Sequence, residues 1–354
     1  MSKKRILLVS PFPPSVGGVS SSVQRLFEVL LHTDYDAVKF NTHFKNKKLN
    51  RSRILKIVKY LMLPLFLLIN RRFDVIHFHV SGVFPKLYVS LWRPVFSRKT
   101  KFIITIHGQI GHILRSKFGH YSLNYFDNII CVQEGDSLNI PGSLRNKAVE
   151  IPAFIPPLIS DNGIDKTPDV LKEFLRRDSF KLLINGFIKC NTDYYDLYGL
   201  KDAVLLLEKL RNNGKNADLI IIILGFPYND EGRNFLADLK KYSSDKNLEG
   251  NICWIENTTM ELWPLFKKIH IFLRPTKSDG DALSIRESLW LSVPVITSDV
   301  VPRPDGAVVY SSSSEDDFLN KTISVIDNYK DYVSTIGNCR TDFAQKIIEQ
   351  YETQ

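Results

Sequence analysis

Residues 181–225 read KLLINGFIKCNTDYYDLYGLKDAVLLLEKLRNNGKNADLIIIILG. Two short β-rich runs, KLLINGF (181–187) and DLIIIILG (218–225), flank a longer amphipathic pattern near 199–213. That alternation is the signature of parallel strands crossed by a helix. It continues downstream with a helix near 230–243, NICWIE (251–256), a helix near 259–268, IHIFLRP (269–275), a helix near 282–291 and PVITS (294–298). Upstream the same rhythm runs through ILLVS (6–10), DAVKF (36–40), DVIHFH (74–79), KFIITIH (101–107), NIICV (128–132) and VEIPA (149–153). The expectation is an α/β chain of two doubly wound, Rossmann-like parallel-sheet domains. Ligands of such sheets bind beyond the carboxyl ends of the strands.

The chain has 354 residues, enough for two domains of ordinary size, and its 44% hydrophobic and 24% charged content is that of a globular protein. The segment 156–178 (PPLISDNGIDKTPDVLKEFLRRD) is rich in Pro, Asp and Gly and predicts the interdomain connection. We expect an N-terminal domain over 1–165, a second over 166–335, and a C-terminal helix over 336–354. The four cysteines, at 131, 190, 253 and 339, have no zinc-type spacing and predict reduced thiols in a cytoplasmic protein. The apolar run before Ser10 is too short for a signal peptide, and the uncharged stretch 60–70 is too short to span a bilayer.

Charge is segregated along the chain. Residues 1–160 carry 23 Lys/Arg against 8 Asp/Glu, the remainder 24 against 30, and within 39–101 there are 15 basic residues and one acid, Asp74. Such a half predicts an anionic partner. Nucleic acid is disfavoured, because the basic residues alternate with a bulky apolar stretch (RSRILKIVKYLMLPLFLLINRR, 51–72) that base reading does not require. An amphipathic surface on anionic lipid fits that pattern, with each Lys or Arg near the surface contributing about 1 kcal/mol. A solvated basic face over a core helix is the alternative.

Three places could carry chemistry. After the first strand, PFPPSVGGVSSSVQRL puts Gly17 and Gly18 before a helix, so backbone can approach a ligand and free N–H groups can meet an anion; a plain tight turn is the alternative. It is not GxGxxG, and no acid follows the second strand, so dinucleotide binding is disfavoured. His77 and His79 share one face of a strand, and His107 ends the next. With no carboxylate or cysteine partner nearby, a metal site is not expected; His77 predicts a buried imidazole and His107 a contact to a sugar hydroxyl or phosphate. Third, SDGDALSIRESLWLSVPVITS (278–298) holds Asp279 and Glu287 eight apart, a turn at Gly280 and a helix starting near Asp281 to Leu283. That offers amides and a helix dipole to a phosphate, with carboxylates on either side for hydroxyls. Ser284 and Glu287 also read as a capping box.

The stretch DGDALSIRE resembles the E-x7-E signature of family-4 retaining glycosyltransferases of the GT-B fold, with Asp279 in place of the first acid. The resemblance runs over nearly the whole chain, through PFPPSVGGVSSSVQRL, FDVIHFH, ITIHG, IPAFIPP and RPTKSDGD, and the stretch 314–351 resembles the tail that folds back onto the first domain. The wording RPT-x3-DG and SIRE is similar to the branch that builds bacterial surface polysaccharides. It implies two domains facing a central cleft and a sugar donor carried on a nucleoside diphosphate, with UDP and GDP both open. It also implies a lipid-linked oligosaccharide acceptor, no metal and no further cofactor, and a peripheral place at the inner face of the cell membrane.

Residue by residue, the resemblance implies that Glu287 bonds the ribose, that Asp279 holds hydroxyls of the donor sugar, and that the amides of Gly280, Asp281, Ala282 and Leu283 meet the diphosphate. Gly17 and Gly18 would pack near the diphosphate and acceptor, and His107 would contact the transferred sugar. Where the family has an Arg and a Lys after the first strand of the second domain, this chain has Phe187 and Tyr198, so Lys189 or Lys201 is expected to supply the cation. Asp279 and Asp281 form a D-x-D, the metal-binding pattern of GT-A transferases, but two doubly wound halves argue against that fold. A GT-B nucleotide-sugar epimerase and a catalytically silent scaffold subunit are the rival readings.

Overall fold

The computed structural model describes residues 3–13, 17–42, 62–67, 69–70, 73–80, 93, 99–108, 110–114, 117–158, 168–188, 196–225, 230–258, 261–337 and 340–352. The chain divides into two compact units, Met1–Pro156 with Asp342–Gln354, and Pro157–Thr341.

In the first unit β1 (Lys4–Ser10), β2 (Tyr35–Asn41), β3 (Val75–Val80), β4 (Lys101–Ile106), β5 (Asn128–Cys131) and β6 (Ala148–Glu150) form one parallel sheet in the order β2-β1-β3-β4-β5-β6. Between them run α1 (Gly18–Leu31), α2 (Gly111–Leu114), α3 (Lys117–Leu123) and α4 (Gly142–Arg145). Ile6, Leu7, Leu8 and Val9 are all fully buried, so β1 has helices or loops over both faces and reads as a continuous apolar run. Most of the amphipathic stretch 51–72, and the basic residues 45–48, lie outside the described residues.

The second unit contains α5 (Asp169–Leu175), β7 (Phe180–Gly186), α6 (Leu200–Asn212), β8 (Ala217–Leu224), α7 (Asp230–Asp245), β9 (Ile252–Thr258), α8 (Trp263–Phe266), β10 (Ile271–Arg274), α9 (Leu283–Trp290), β11 (Val295–Ser298), β12 (Val308–Tyr310), α10 (Glu315–Asp327) and α11 (Tyr329–Ile336). Its six strands are parallel in the order β12-β11-β10-β7-β8-β9. Alternate strand residues serve two cores. Leu182, Ile184, Leu219, Ile221 and Leu273 pack with Val204, Leu207 and Leu210 of α6 and Val325 of α10. Leu183, Ile220, Ile222, Phe272 and Val295 pack with Phe174 of α5, Phe266 of α8 and Ile285 and Leu289 of α9. Counted from β7, the strand order is that of a Rossmann sheet, 3-2-1-4-5-6. The strand order therefore reverses its progression across the sheet between β7 and β10, and that switch point is where such sheets open a ligand crevice at the strands' carboxyl ends.

Ile336 is buried in the second unit's core, so α11 stays with that unit. Among the described helices after β7, α12 (Ala344–Glu352) is the one that joins the first unit. Tyr351 of α12 is bonded to His77 Nδ1 at 2.9 Å, Asn128 Nδ2 donates to Gln350 Oε1 at 2.8 Å, and Glu352 accepts from the Tyr35 hydroxyl at 2.6 Å and from Lys4.

Candidate donor site in the second unit

The segment after β10 is held from two sides. Thr276 Oγ1 donates to Leu197 O at 2.9 Å, Lys277 N donates to the same carbonyl at 2.9 Å, and Ser298 Oγ, at the end of β11, donates to Thr276 O at 2.6 Å. Asp279 and Gly280 follow, and α9 then starts at Leu283 behind Ala282, with no side-chain cap on its first turn. The capping-box alternative is thereby set aside: Ser284 lies within the helix, so its hydroxyl is not at the cap position. An uncapped helix start keeps its N–H groups for a ligand. Glu287 is one turn further on and buried, at 5% exposure.

Asp279 is the centre of a buried ion cluster. Arg274 Nε reaches Asp279 Oδ2 and Nη2 reaches Oδ1, both at 3.0 Å; Arg303 Nη1 reaches Oδ2 at 3.1 Å; and Gly280 N donates to Oδ1 at 3.1 Å. Burial alone would raise the Asp279 pKa, but the guanidinium of Arg274, and then that of Arg303, outweigh it and hold the carboxyl below its usual value. Asp281 is bonded by Arg286 Nε through both oxygens, at 2.7 and 3.0 Å. There burial wins, the nearby Asp279 charge adds to it, and the Asp281 pKa is raised despite Arg286.

The carboxyl end of β7 faces this cluster across the switch point. The register Leu273 with Ile184 sets Asn185 beside Arg274. Asn185 is 6% exposed, and its Oδ1 has no partner among the described residues. A Cβ on Gly186 would lie 2.6 Å from Cβ of Tyr198, so the glycine is what lets that loop close down. Gly199 has φ +73°, and a Cβ there would meet Pro275 O at 2.2 Å. The loop so closed places the Tyr198 ring under Arg274, whose Cζ is 4.8 Å from the ring centroid, and Phe187 at 6.2 Å from the same ring. Lys189, expected to bind the donor, lies outside the described residues. Lys201 lies in the first turn of α6, its amide donating to Asp196 Oδ2 at 2.8 Å.

Gly17, Gly18 and His107 belong to the first unit. Gly17 precedes α1 in extended backbone, with none of the described residues within 4 Å of where a Cβ would stand, and its carbonyl accepts from Ser21 N at 3.1 Å. His107 follows β4, and its Nε2 meets Nδ1 of buried His79 at 3.2 Å; His79 Nε2 has no partner among the described residues. His77 is fully buried between Tyr351 and Thr105, and burial pushes its pKa down to about 3, helped by His107. Among the described residues no group of three His, Cys, Asp or Glu is placed to hold a metal ion.

The structure thus gathers Asp279, Gly280, Asp281, Ala282, Leu283 and Glu287 on one turn and the helix that follows it. It adds two buried arginines that pattern reading did not single out. The available signal was an Arg closing an otherwise apolar strand, IFLRP, where a charge is costly unless paired.

Residues 193–340 match the family model described as Glycosyl transferases group 1. The uncharacterized glycosyltransferase MJ1178 of Methanocaldococcus jannaschii is 20% identical over 376 residues, spanning 97% of this chain and 94% of that protein. The O-antigen biosynthesis glycosyltransferase WclY of Escherichia coli is 25% identical over 246 residues, 65% of this chain and 62% of that one. Among solved structures, a glycosyltransferase from Rickettsia africae superposes with a TM-score of 0.65 at 14% identity, covering 99% of this chain and 98% of its own. Anabaena Alr3699/HepE in complex with UDP-glucose superposes with a TM-score of 0.63 at 11% identity, covering 99% and 100%. The fold is therefore that of the GT-B glycosyltransferases, and the stretch holding the Asp279–Glu287 turn matches glycosyl transferases group 1.

Proposed function

We propose that this protein is a retaining, metal-independent glycosyltransferase that moves a hexosyl group from a nucleoside-diphosphate sugar to a lipid-linked glycan in surface polysaccharide biosynthesis. The observation that carries the reading is the turn 279–283: a charge-held Asp279, an uncapped helix start and a buried Glu287, all within the residues that match the family model. Glu287 bonds the ribose, and the amides of Asp281, Ala282 and Leu283 meet the diphosphate, the Gly280 amide donating to Asp279 Oδ1 and not, as the resemblance implies, to the ligand. Asp279 fixes the turn beside them; with each oxygen already bonded twice it is not left to hold sugar hydroxyls, as the resemblance implies it would. Lys189 lends positive charge, and Gly17, Gly18 and His107 serve the acceptor and the transferred sugar.

The chemistry asks little of acid–base groups, because a nucleoside diphosphate leaves readily once its developing charge is stabilised. Fixed amides and cations do that without reorganising, and holding the acceptor hydroxyl against the anomeric carbon supplies the rest. The hydroxyl attacks from the face the diphosphate leaves.

The basic first half supports an acceptor with its own diphosphate at an anionic bilayer on the cytoplasmic side. No helix among the described residues is long and apolar enough to cross a membrane, which fits a peripheral association. The likeness to an O-antigen enzyme and to a UDP-glucose-bound neighbour supports the substrate classes. Mass spectrometry of products from a panel of UDP- and GDP-sugars with polyprenyl-diphosphate-linked acceptors tests the reading. A product one hexose heavier supports it, and donor turnover without transfer in every combination contradicts it.

A further inference from the structure

Two arginines and one carboxylate make an unbalanced group. Arg274, Asp279 and Arg303 have side-chain exposures of 9%, 9% and 2%, and the two guanidiniums share a single acid. Asp281 does not offset the surplus, since Arg286 is paired with it. A buried surplus of positive charge is costly unless an anion completes it.

The donor count points the same way. A guanidinium carries five N–H groups. Arg274 commits Nε and Nη2 to Asp279, and Arg303 commits Nε to Ser298 O, Nη1 to Asp279 and Nη2 to Ser298 Oγ. Both N–H groups of Arg274 Nη1 therefore have no partner among the described residues, and further N–H groups on both arginines remain over. Among the described residues the buried side-chain atoms without a partner are His79 Nε2 and Asn185 Oδ1, so the spare guanidinium donors keep an opening through which an oxygen-rich anion can reach them. Asp279, by contrast, has both oxygens doubly engaged, so it has little left to accept from a ligand.

The group's position decides which anion. Arg274 closes β10 at the switch point with β7, and the cluster sits directly before the start of α9. Its guanidinium lies on the ring of Tyr198, the residue found where the resemblance leads one to expect a cation.

We infer that Arg274 and Arg303, oriented by Asp279, form the clamp for the donor's diphosphate. On this assignment Asp279 is a positioning residue, and the two arginines are the groups that touch the substrate. The inference rests on the transferase reading and replaces the expected cation at Phe187 and Tyr198 with one delivered from β10 and from the loop after β11.

The test is calorimetric titration of the full chain with UDP, GDP, UMP, GMP and inorganic pyrophosphate. Wild-type protein should bind the diphosphate of its preferred base at least tenfold more tightly than the monophosphate, with pyrophosphate competing. Arg274→Met and Arg303→Met should cut that preference below threefold. Arg274→Lys and Arg303→Lys, which keep the charge and are the safer folders, should cut it at least threefold because the fork is lost. Asp279→Asn separates orientation from charge: simple electrostatics would strengthen diphosphate binding, whereas loss of orientation weakens it. An unchanged diphosphate preference in folded arginine variants, or a stronger one in Asp279→Asn, overturns the clamp alone. Wild-type protein that binds none of the nucleotides overturns the transferase reading along with it.

Discussion

Arg274 grips Asp279 with a two-pronged contact, Nε to Oδ2 and Nη2 to Oδ1, each at 3.0 Å. The pair is buried, and its partner Arg303 shares the same carboxylate. Removing the acid would leave two largely buried guanidiniums without the carboxylate they share. Asp279→Asn is therefore expected to destabilise the second unit by about 3 kcal/mol or more. Trp254, Trp263 and Trp290 all lie in that unit, so urea unfolding followed by tryptophan fluorescence reads it. Because the folded pKa of Asp279 is held down, its contribution is present above the unfolded value of about 3.9 and fades as pH falls through the folded one. The gap between wild type and variant should narrow below that pH.

Gly199 sits at φ +73° against Pro275 O. Gly199→Ala adds left-handed strain of about 1–2 kcal/mol and a contact that the backbone must move to relieve. The expected result is a loss above about 2 kcal/mol in the same unfolding assay, together with weaker nucleotide binding, because the loop carries Tyr198 under Arg274.

Glu287 is buried on α9, and the proposed function gives it the ribose. A hydrogen bond to a charged group contributes about 1.5–3 kcal/mol, so Glu287→Gln should weaken donor binding about tenfold or more. Pyrophosphate, which has no ribose, should bind the variant as it binds wild type.

His77 has a folded pKa near 3 against an unfolded value of about 6.5. Between those limits the unfolded chain binds a proton that the folded one excludes, so stability rises with pH there and is lost on acidification. The loss should approach about 1.4 kcal/mol per pH unit once pH is well below 6.5. Hydrogen exchange of peptides covering 74–80 and 101–107 should quicken, after correction for intrinsic rates, between pH 7 and pH 5. Tyr351→Phe, which leaves His77 Nδ1 unpaired in the core, should quicken it at pH 7 as well.

Much of the fold was legible because parallel strands buried on both faces leave apolar runs such as DLIIIILG that few other structures produce. Each of the eleven strands read from pattern overlaps a strand of the structure, VEIPA (149–153) only at Val149 and Glu150. The twelfth, β12, escaped because it is three residues long, lies at the sheet edge and follows Asp305 and Gly306, which read as a turn. The acids Asp279 and Glu287 were legible because their spacing around Gly280 is local. Arg274 and Arg303 were not, since they are 29 residues apart and meet only because β10 and β11 are neighbours in the sheet. Tyr198 as a platform for Arg274 likewise needs the loop closure that Gly186 and Gly199 permit.

The central claim is that the turn at Gly280 and the buried Glu287 hold an activated sugar. Its most direct test is calorimetric titration of the full chain, and of Glu287→Ala, with UDP-glucose, UDP-galactose, UDP-N-acetylglucosamine and GDP-mannose. The account predicts saturable binding of at least one donor by wild-type protein and its loss, about tenfold or more, in the variant. No saturable binding of any donor, or binding untouched by the substitution, would contradict it.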